Sequence, residues 1–591
     1  MPRDPTKELY SPKGKLLAAA LAAAPWLCAA DAVSPGRFLI DPPTLESLGF
    51  RWLIEGDDNR NATVSVAYRR RAGGRWRPAL PMLRVYREVV NQDYEPYRTG
   101  NLFAGSVLFL EPGVEYEVRF VMEDPDGGAP PPKIVQVATR PVPALSRKRR
   151  LVRIGPPGEN LRKALAGARP GFTVALEPGL YQIRETLVLE TADLAIVGPP
   201  GGGAVLEGPG HGADLFDIRR ADRLWLENLT LRHARMAVNA GSKGGPGASH
   251  LVVKRCRIED VIYGINSTSE NSTGWYIADN ELIGLNPTWY PRPQERYMEP
   301  SHTGINVYGR GHVIAYNRIR RFSDALAIAN FGVPPEDVER HPVAIDFYHN
   351  DLGWAQDDAI ETDYGAHNIR VWRNRCTNAH TGLSVQPLYG GPVYLVRNEI
   401  YGVTALAFKL HNYAAGILAY HNTSATAFTG FQSFNRWQNG HLRNNLILGG
   451  AGDGSRLTYA VDTGSITPYS TLDYNGYRQN SPGAFARWYD GRERRNYETL
   501  EAFRAATGHE RHGLLIDYDI FVRAAPPEPG KTIDPKDYDL TLRPGSAAVD
   551  AGVRLPNIND DYAGSAPDLG CYELGRPAPH YGPRPAQRGG R

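Results

Sequence analysis

The stretch Asp357-Asp358-Ala359-Ile360-Glu361-Thr362-Asp363 places four carboxylates within seven residues. Like charges a few ångströms apart cannot all ionise freely, so one is pushed to keep its proton near neutral pH while its neighbours stay charged. A protonated carboxyl beside an ionised one is what glycosidic bond cleavage requires. One donates a proton to the leaving oxygen and the other activates water or attacks the sugar. The same residues also suit a structural Ca²⁺ site, or carboxylates bonded to turn amides. Which chemistry applies depends on the elements that hold them.

Those elements are legible as a repeat. An Asn preceded by apolar or aromatic residues recurs at Asn350, Asn374, Asn398 and Asn422, each 24 residues after the last. Weaker copies place Asn280, Asn317 and Asn445 in the same role, with inserted loops at about 285–301 and 331–341. A Val- and Ile-rich period of this length fits one coil of a solenoid; the Leu pattern of the leucine-rich repeat is absent. Asn at one turn position stacks into a ladder whose amides hydrogen-bond from coil to coil, and it tolerates left-handed backbone angles.

Neighbouring coils then superpose at roughly 5 Å per coil. The strands 323–330, 357–364, 381–387 and 404–411 align. Alternation points Leu326, Ile328, Ile360, Leu383, Val385, Leu406 and Phe408 inward. It leaves Glu361, Asp363, Ser384, Gln386 and Lys409 on an outer polar strip. Asp324, Asp357 and Asp358 stand where the turn enters the strand, and Ala325, Ala359, Gly382 and Ala405 beside them predict an open trough. Catalysis is therefore expected at Asp324, Asp357, Asp358 and Glu361. Asp363, Gln386, Lys409 and His411 are expected to bind substrate. The inserted loop 286–300 carries Trp289, Tyr290 and Tyr297, exposed rings of the kind that stack on sugar faces. His302, His349, His411 and His421 match no metal motif, so no metal site and no cofactor are expected.

The segment NLRKALAGARPGFTVALEPGLY (160–181) reads as a short amphipathic helix and a strand between Pro-Gly turns. It resembles the N-terminal cap and first rung of right-handed parallel β-helix proteins, the pectate lyase-like superfamily, in which the helix covers open strand edges. The order of FSDAL, QDDAI, NAHTGLSV and AFK further resembles the polygalacturonase-type glycoside hydrolases. That resemblance covers about ninety residues. It implies Asp358 as proton donor, Asp324 and Asp357 as bases positioning water, His380 tuning the acid, and Lys409 on the sugar ring or its acidic group. Ser323 departs from the expected Asn, Thr381 intervenes between His380 and Gly382, and Ala407 replaces the Arg expected to grip a carboxylated sugar, which sets uronate specificity aside. The expected activity is a glycoside hydrolase acting on a polysaccharide along the β-helix face. Two alternatives share the fold. In a polysaccharide lyase or uronate epimerase, the acidic residues would hold Ca²⁺ and Lys409, its pKa lowered, would be the base. A glycan-binding surface protein would need no chemistry at all.

The remaining chain supplies context. Lys13 and Lys15 precede an apolar run, 16–27, that is too short to span a bilayer. It reads as a secretory signal over 1–32, placing the protein outside the cell, in the periplasm or on the surface. Residues 36–140 alternate in short runs, and LEPGVEY (110–116) resembles the tyrosine-corner segment of fibronectin type III domains, usually spacers or docking modules. A basic linker, 141–150, leads to the β-helix over 151–450. A C-terminal extension and cap, 451–591, contains a helix over 496–508. Asp550, Asp560 and Asp568 there are expected to form turns. Cys256, Cys376 and Cys571 are expected as small buried groups. A net charge of +3 over 591 residues gives no footprint for nucleic acid, and a monomer is expected. The fold class is thus all-β, a β-helix preceded by a β-sandwich.

Overall fold

A computed structural model describes residues 31–290 and 300–585. Residues 1–30 of the expected secretory signal over 1–32, Tyr297, and the last residues of the C-terminal extension lie outside the described residues.

The N-terminal part is a β-sandwich. Ser34–Ile40, Leu48–Glu55, Asn101–Val107 and Leu83–Tyr86 form one antiparallel sheet, and Lys133–Ala138, Glu115–Glu123, Thr63–Arg70 and Arg77–Ala79 form the other. Strict alternation in Thr63–Arg70 buries Val64, Val66 and Tyr68 against Phe50, Trp52 and Phe120. The Tyr116 hydroxyl accepts from the Glu111 N–H at 3.0 Å, tying the preceding loop to the sheet as LEPGVEY suggests.

From Arg150 the chain coils into a parallel β-helix. One sheet of 13 strands runs from Arg150–Ile154 to Thr471–Asp473, and a second of 17 strands runs from Gly179–Gln182 to Leu514–Leu515. Both ladders continue past 450, where the sequence repeat fades. The helix Gly158–Ala166 inserts Leu161 into the first coil and closes that end of the core. The helix Leu500–Thr507 starts on a Thr499 cap and packs Phe503 into the core beside Phe485 and Trp488. Cys256, Cys376 and Cys571 are buried and unpaired. Asp550, Asp560 and Asp568 each accept backbone N–H groups of nearby turns.

The Asn ladder is continuous. Asn280, Asn317, Asn350, Asn374, Asn398, Asn422 and Asn445 each donate Nδ2 to the Oδ1 of the next at 2.8–3.1 Å. The last acceptor is Asn475, a copy the spacing does not reveal because the intervening coil is longer. The ladder terminates on Glu510, whose carboxylate accepts from Asn475 Nδ2 at 2.7 Å and from the Tyr477 hydroxyl at 2.8 Å. Burial pushes the Glu510 carboxyl from 4.5 up to about 7. Between those values the folded chain binds the proton and the unfolded chain does not, so stability falls as pH rises through this window and levels off above it. The contribution is about 3 kcal/mol at most. Melting temperatures recorded from pH 4.5 to 8 should therefore decline less steeply in Glu510→Gln than in the wild type. Parallel curves would remove Glu510 as the titrating group.

The sandwich is not a free spacer. Its Leu45, Leu80 and Leu108 join Trp225, Tyr276, Tyr348, Trp372 and Tyr394 on the outer face of the 13-stranded sheet. A buried polar network crosses the same interface. Arg370 donates to Asp346 at 2.5 Å and to Ser106 Oγ at 3.3 Å, and the Ser106 N–H donates to the Tyr394 hydroxyl at 2.7 Å. Asn368 donates to Asp41, which also pairs with Arg51. At the other end of the chain, Arg584 donates from Nε and Nη2 to Asp279 at 2.8 and 2.7 Å and lies 4.0 Å over the Tyr316 ring. The Gly582 N–H donates to His349 O. The tail thus straps successive coils together.

Candidate active site

Four consecutive strands of the 17-stranded sheet build the site: Asp324–Ala327, Asp351–Glu361, Arg375–Val385 and Glu399–Leu410. Leu326, Ile360, Leu383 and Phe408 occupy one register row and enter the core. Ala327, Glu361, Ser384 and Lys409 form the next row, so these four strands stack in the expected order, with the last offset by two residues from the expected alignment. A second row stacks Asp358 on Thr381 and Leu406.

Between Ala355 and Asp358 the ladder bulges. Gln356 and Asp357 face the single residue His380, as do Thr404 and Ala405 on the other side. A bulge re-aims side chains and strengthens the local twist. It brings Asp357 toward Asp324 and Asp358, and oxygens of all three lie within 4.8 Å of one another. The Asp358 N–H donates to Asp324 Oδ1 at 3.2 Å.

Lys409 reaches back across two coils to donate to Asp358 Oδ2 at 2.8 Å. Its ammonium is held charged well above the ordinary lysine range: burial opposes this, and Asp358, Asp357 and Asp363 outweigh it. This direction is opposite to the lowered pKa that the lyase alternative expects of Lys409. Asp358 is 1 % exposed, and its Oδ1 has no partner among the described residues. The buried hydroxyls of Thr381 and Thr404 on the neighbouring coils also lack partners. Orphaned polar atoms gathered at one place call for water or a ligand's polar groups.

Glu361 and Asp363 form a coupled pair. Asp363 accepts from Ser384 Oγ at 3.0 Å and from the Gln386 N–H at 2.6 Å. Burial raises both carboxyls, and Glu361 rises further, because Asp363, Asp324 and Asp358 all repel its charge. Of the two, Glu361 is the carboxyl that burial and its neighbours push further toward the neutral form, which adds it as a candidate proton donor beside the Asp358 implied by the polygalacturonase resemblance.

His411 donates Nδ1–H to Gln386 Oε1 at 3.1 Å and accepts the Phe434 N–H at Nε2. Burial and the Lys409 charge hold its pKa down at about 4, so the imidazole is neutral and fixes Gln386 beside Asp363. His380 is half-buried at the centre of the bulges.

Three expectations need correction. Ala325 and Ala359 belong to the core, and a Cβ on Gly382 would meet Ala407 O at 2.7 Å. These small residues let coils pack closely inside and do not line an outer trough. Trp289 is only 3 % exposed, and Tyr290 is half-buried against Gly530, so neither presents a free ring. The loop is instead anchored to the floor of the site. Asn286 donates to Gln356 Oε1, and Gln356 donates to Thr288 O. This Gln356 tether went unread because nothing in a lone buried Gln marks it. A cavity of about 450 Å³ lies between Met82, Arg84, Tyr420 and Tyr469 at the domain interface. Asp324, Asp358 and Asp363 are only 4 %, 1 % and 3 % exposed, so these carboxylates lie beneath the surface and not on the open outer strip that alternation predicts for Asp363.

Asp324, Asp357 and Asp358 have the oxygen-donor chemistry to hold a divalent cation. The Lys409 ammonium already neutralises one of those oxygens. His211, His233 and Asp260 make a second group of ligand type among the described residues, at an exposed corner of earlier coils. No helix among the described residues is long and apolar enough to cross a membrane.

No protein-family model matches the chain, and no curated protein does. Solved structures similar to it include the family 28 exopolygalacturonase of Yersinia enterocolitica, at 10 % identity over 85 % of this chain and 100 % of that one, with a TM-score of 0.35. The PL6 family alginate lyase AlyGC matches at 13 % identity over 72 % of this chain and 59 % of its own, with a TM-score of 0.34. The catalytic domain of a GH87 alpha-1,3-glucanase matches at 9 % identity over 81 % and 90 %, with a TM-score of 0.26.

Proposed function

We propose that the chain is an exported glycoside hydrolase that cleaves a polysaccharide laid along the outer strip of the β-helix. The observation that carries this reading is the gathering of Asp324, Asp357 and Asp358, oxygens within 4.8 Å of one another, with Lys409 bonded to Asp358 and with Glu361 nearby, which burial and neighbouring carboxylates push toward its neutral form. Glu361 is placed to protonate the leaving glycosidic oxygen. Asp358, its Oδ2 fixed by Lys409 and its Oδ1 unpartnered, is placed with Asp324 and Asp357 to take a proton from water or to attack the sugar. Asp363 and Gln386, the latter fixed by the neutral His411, supply polar groups for sugar hydroxyls. Lys409, as a charged donor, supports the ring or an acidic substituent. We read the sandwich as fibronectin type III-like.

The test is mass spectrometry of products after incubation with neutral and uronate-containing polysaccharides, alongside Asp358→Asn. Fragments heavier by one water, made by the wild type and absent with the variant, are expected. Fragments carrying a new double bond would replace hydrolysis with elimination, and an unchanged panel would point to a binding protein.

A further inference from the structure

One end of the acidic strip is walled by the other domain. In the sandwich, Val89–Val90 and Tyr97–Arg98 pair as a hairpin with the loop 91–96 at its tip. The hairpin is fastened to the coils that carry the strip. The Asn91 N–H donates to Asn412 O at 2.7 Å, beside His411, and Gln438 Nε2 donates to Val89 O at 2.9 Å. The Tyr97 ring meets Tyr389 edge-on at 5.0 Å. Tyr389 in turn donates its hydroxyl to Gly332 O at 3.0 Å.

This places three rings in one neighbourhood. Tyr364 follows Asp363 directly, and Phe331 lies on the coil of Asp324, with ring centroids 5.4 Å apart. Glu95 of the hairpin comes within 3.9 Å of the space a Cβ on Gly332 would occupy, and its charge reaches the Tyr364 hydroxyl. Tyr94, at the tip, is 75 % exposed and Phe331 is 74 % exposed, more than any other large hydrophobic among the described residues. The two most exposed rings thus belong to segments that meet at the same end of the strip. Lys243 from an earlier coil donates to Phe331 O at 2.7 Å and fixes the backbone beneath that ring.

We infer that the 89–98 hairpin, with Phe331 and Tyr364, forms a sugar-binding subsite that extends the acidic strip onto the sandwich. The inference rests on the polysaccharide reading above. Aromatic faces take the C–H faces of pyranose rings, and Glu95 supplies an acceptor for their hydroxyls. Phe331 and Tyr364 follow Asp324 and Asp358 by seven and six residues along adjacent coils, so a glycan that reaches both the carboxylates and the rings runs across the coils toward the hairpin.

The test is affinity electrophoresis of the full chain in gels containing polygalacturonate, alginate or dextran, with kinetics on whichever polymer is cleaved. Tyr94→Ala and Phe331→Ala remove exposed rings, so melting temperatures should stay at the wild-type value. The double variant should lose about tenfold in affinity for the retarding polymer, and KM should rise in proportion with kcat kept within about twofold. Equal retardation of wild type and double variant would overturn the subsite and leave the hydrolase standing. Retardation lost in the double variant, with no product from the wild type, would fail the hydrolase and keep the subsite. A wild type retarded by none of the polymers would overturn both.

Discussion

Glu361→Gln is expected to lower kcat by about 10²–10⁴-fold, the usual contribution of a positioned proton donor, with KM nearly unchanged. The amide keeps the shape and most hydrogen bonds of the protonated acid, so the loss isolates the proton itself. The same assignment fixes the pH profile. Because burial and three neighbouring carboxylates hold the Glu361 proton far above the ordinary glutamate range, activity should persist through neutral pH, with loss of that proton setting the alkaline limb and protonation of the basic carboxylate setting the acid limb. Asp363→Asn removes the largest of the repelling charges, so Glu361 should ionise more readily and the alkaline limb should move to lower pH by about one unit. A Glu361→Gln enzyme with wild-type kcat would shift the donor role to Asp358. A limb that moves upward in Asp363→Asn would contradict the electrostatic account.

The largest effect on stability is expected at the domain interface. Arg370 and Asp346 are fully buried and paired at 2.5 Å. Arg370→Met leaves the Asp346 carboxylate without its counter-ion in a site where burial already penalises its charge. Stranding a buried charge costs about 3–5 kcal/mol, while replacing both partners by apolar groups is often nearly neutral. Chemical denaturation should therefore show a severe loss for Arg370→Met and a substantial recovery in Arg370→Met/Asp346→Leu. A loss below about 1 kcal/mol in the single variant would mean that Asp346 is neutralised by another route.

The repeat made most of the solenoid legible. A spacing of 24 residues dictates which strands stack, and alternation along each strand groups Glu361, Ser384 and Lys409, although the bulges set them 23 and 25 residues apart instead of 24. The bulge at Gln356–Asp357 was not legible, since alternation assumes a regular strand, and the bulge is what separates the carboxylates into a cluster of three and a pair. Likewise Ala325 and Ala359 obey a local rule for small residues at an opening, yet the corner of the coil turns them into the core. The proton's location depends on mutual repulsion within that folded geometry, which neither spacing nor the resemblance that implied Asp358 reports. The hairpin's role was beyond reach for another reason. Asn91 and Asn412 meet across 321 positions of sequence, and no short-range pattern reports such a contact.

The docking of the sandwich also changes how the β-helix responds to force. A bare solenoid pulled along its axis opens one coil at a time, because each coil holds only its neighbours. Here Arg140 grips Gly274 O, Trp275 O and Gly311 O, while Arg84 O accepts from Asn439, so one rigid body spans seven adjacent strands of the 13-stranded sheet. Tension along the axis must shear that interface before any coil within the span can separate. The sandwich thus acts as a splint, and it keeps at fixed separation the same coils whose carboxylates form the acidic strip.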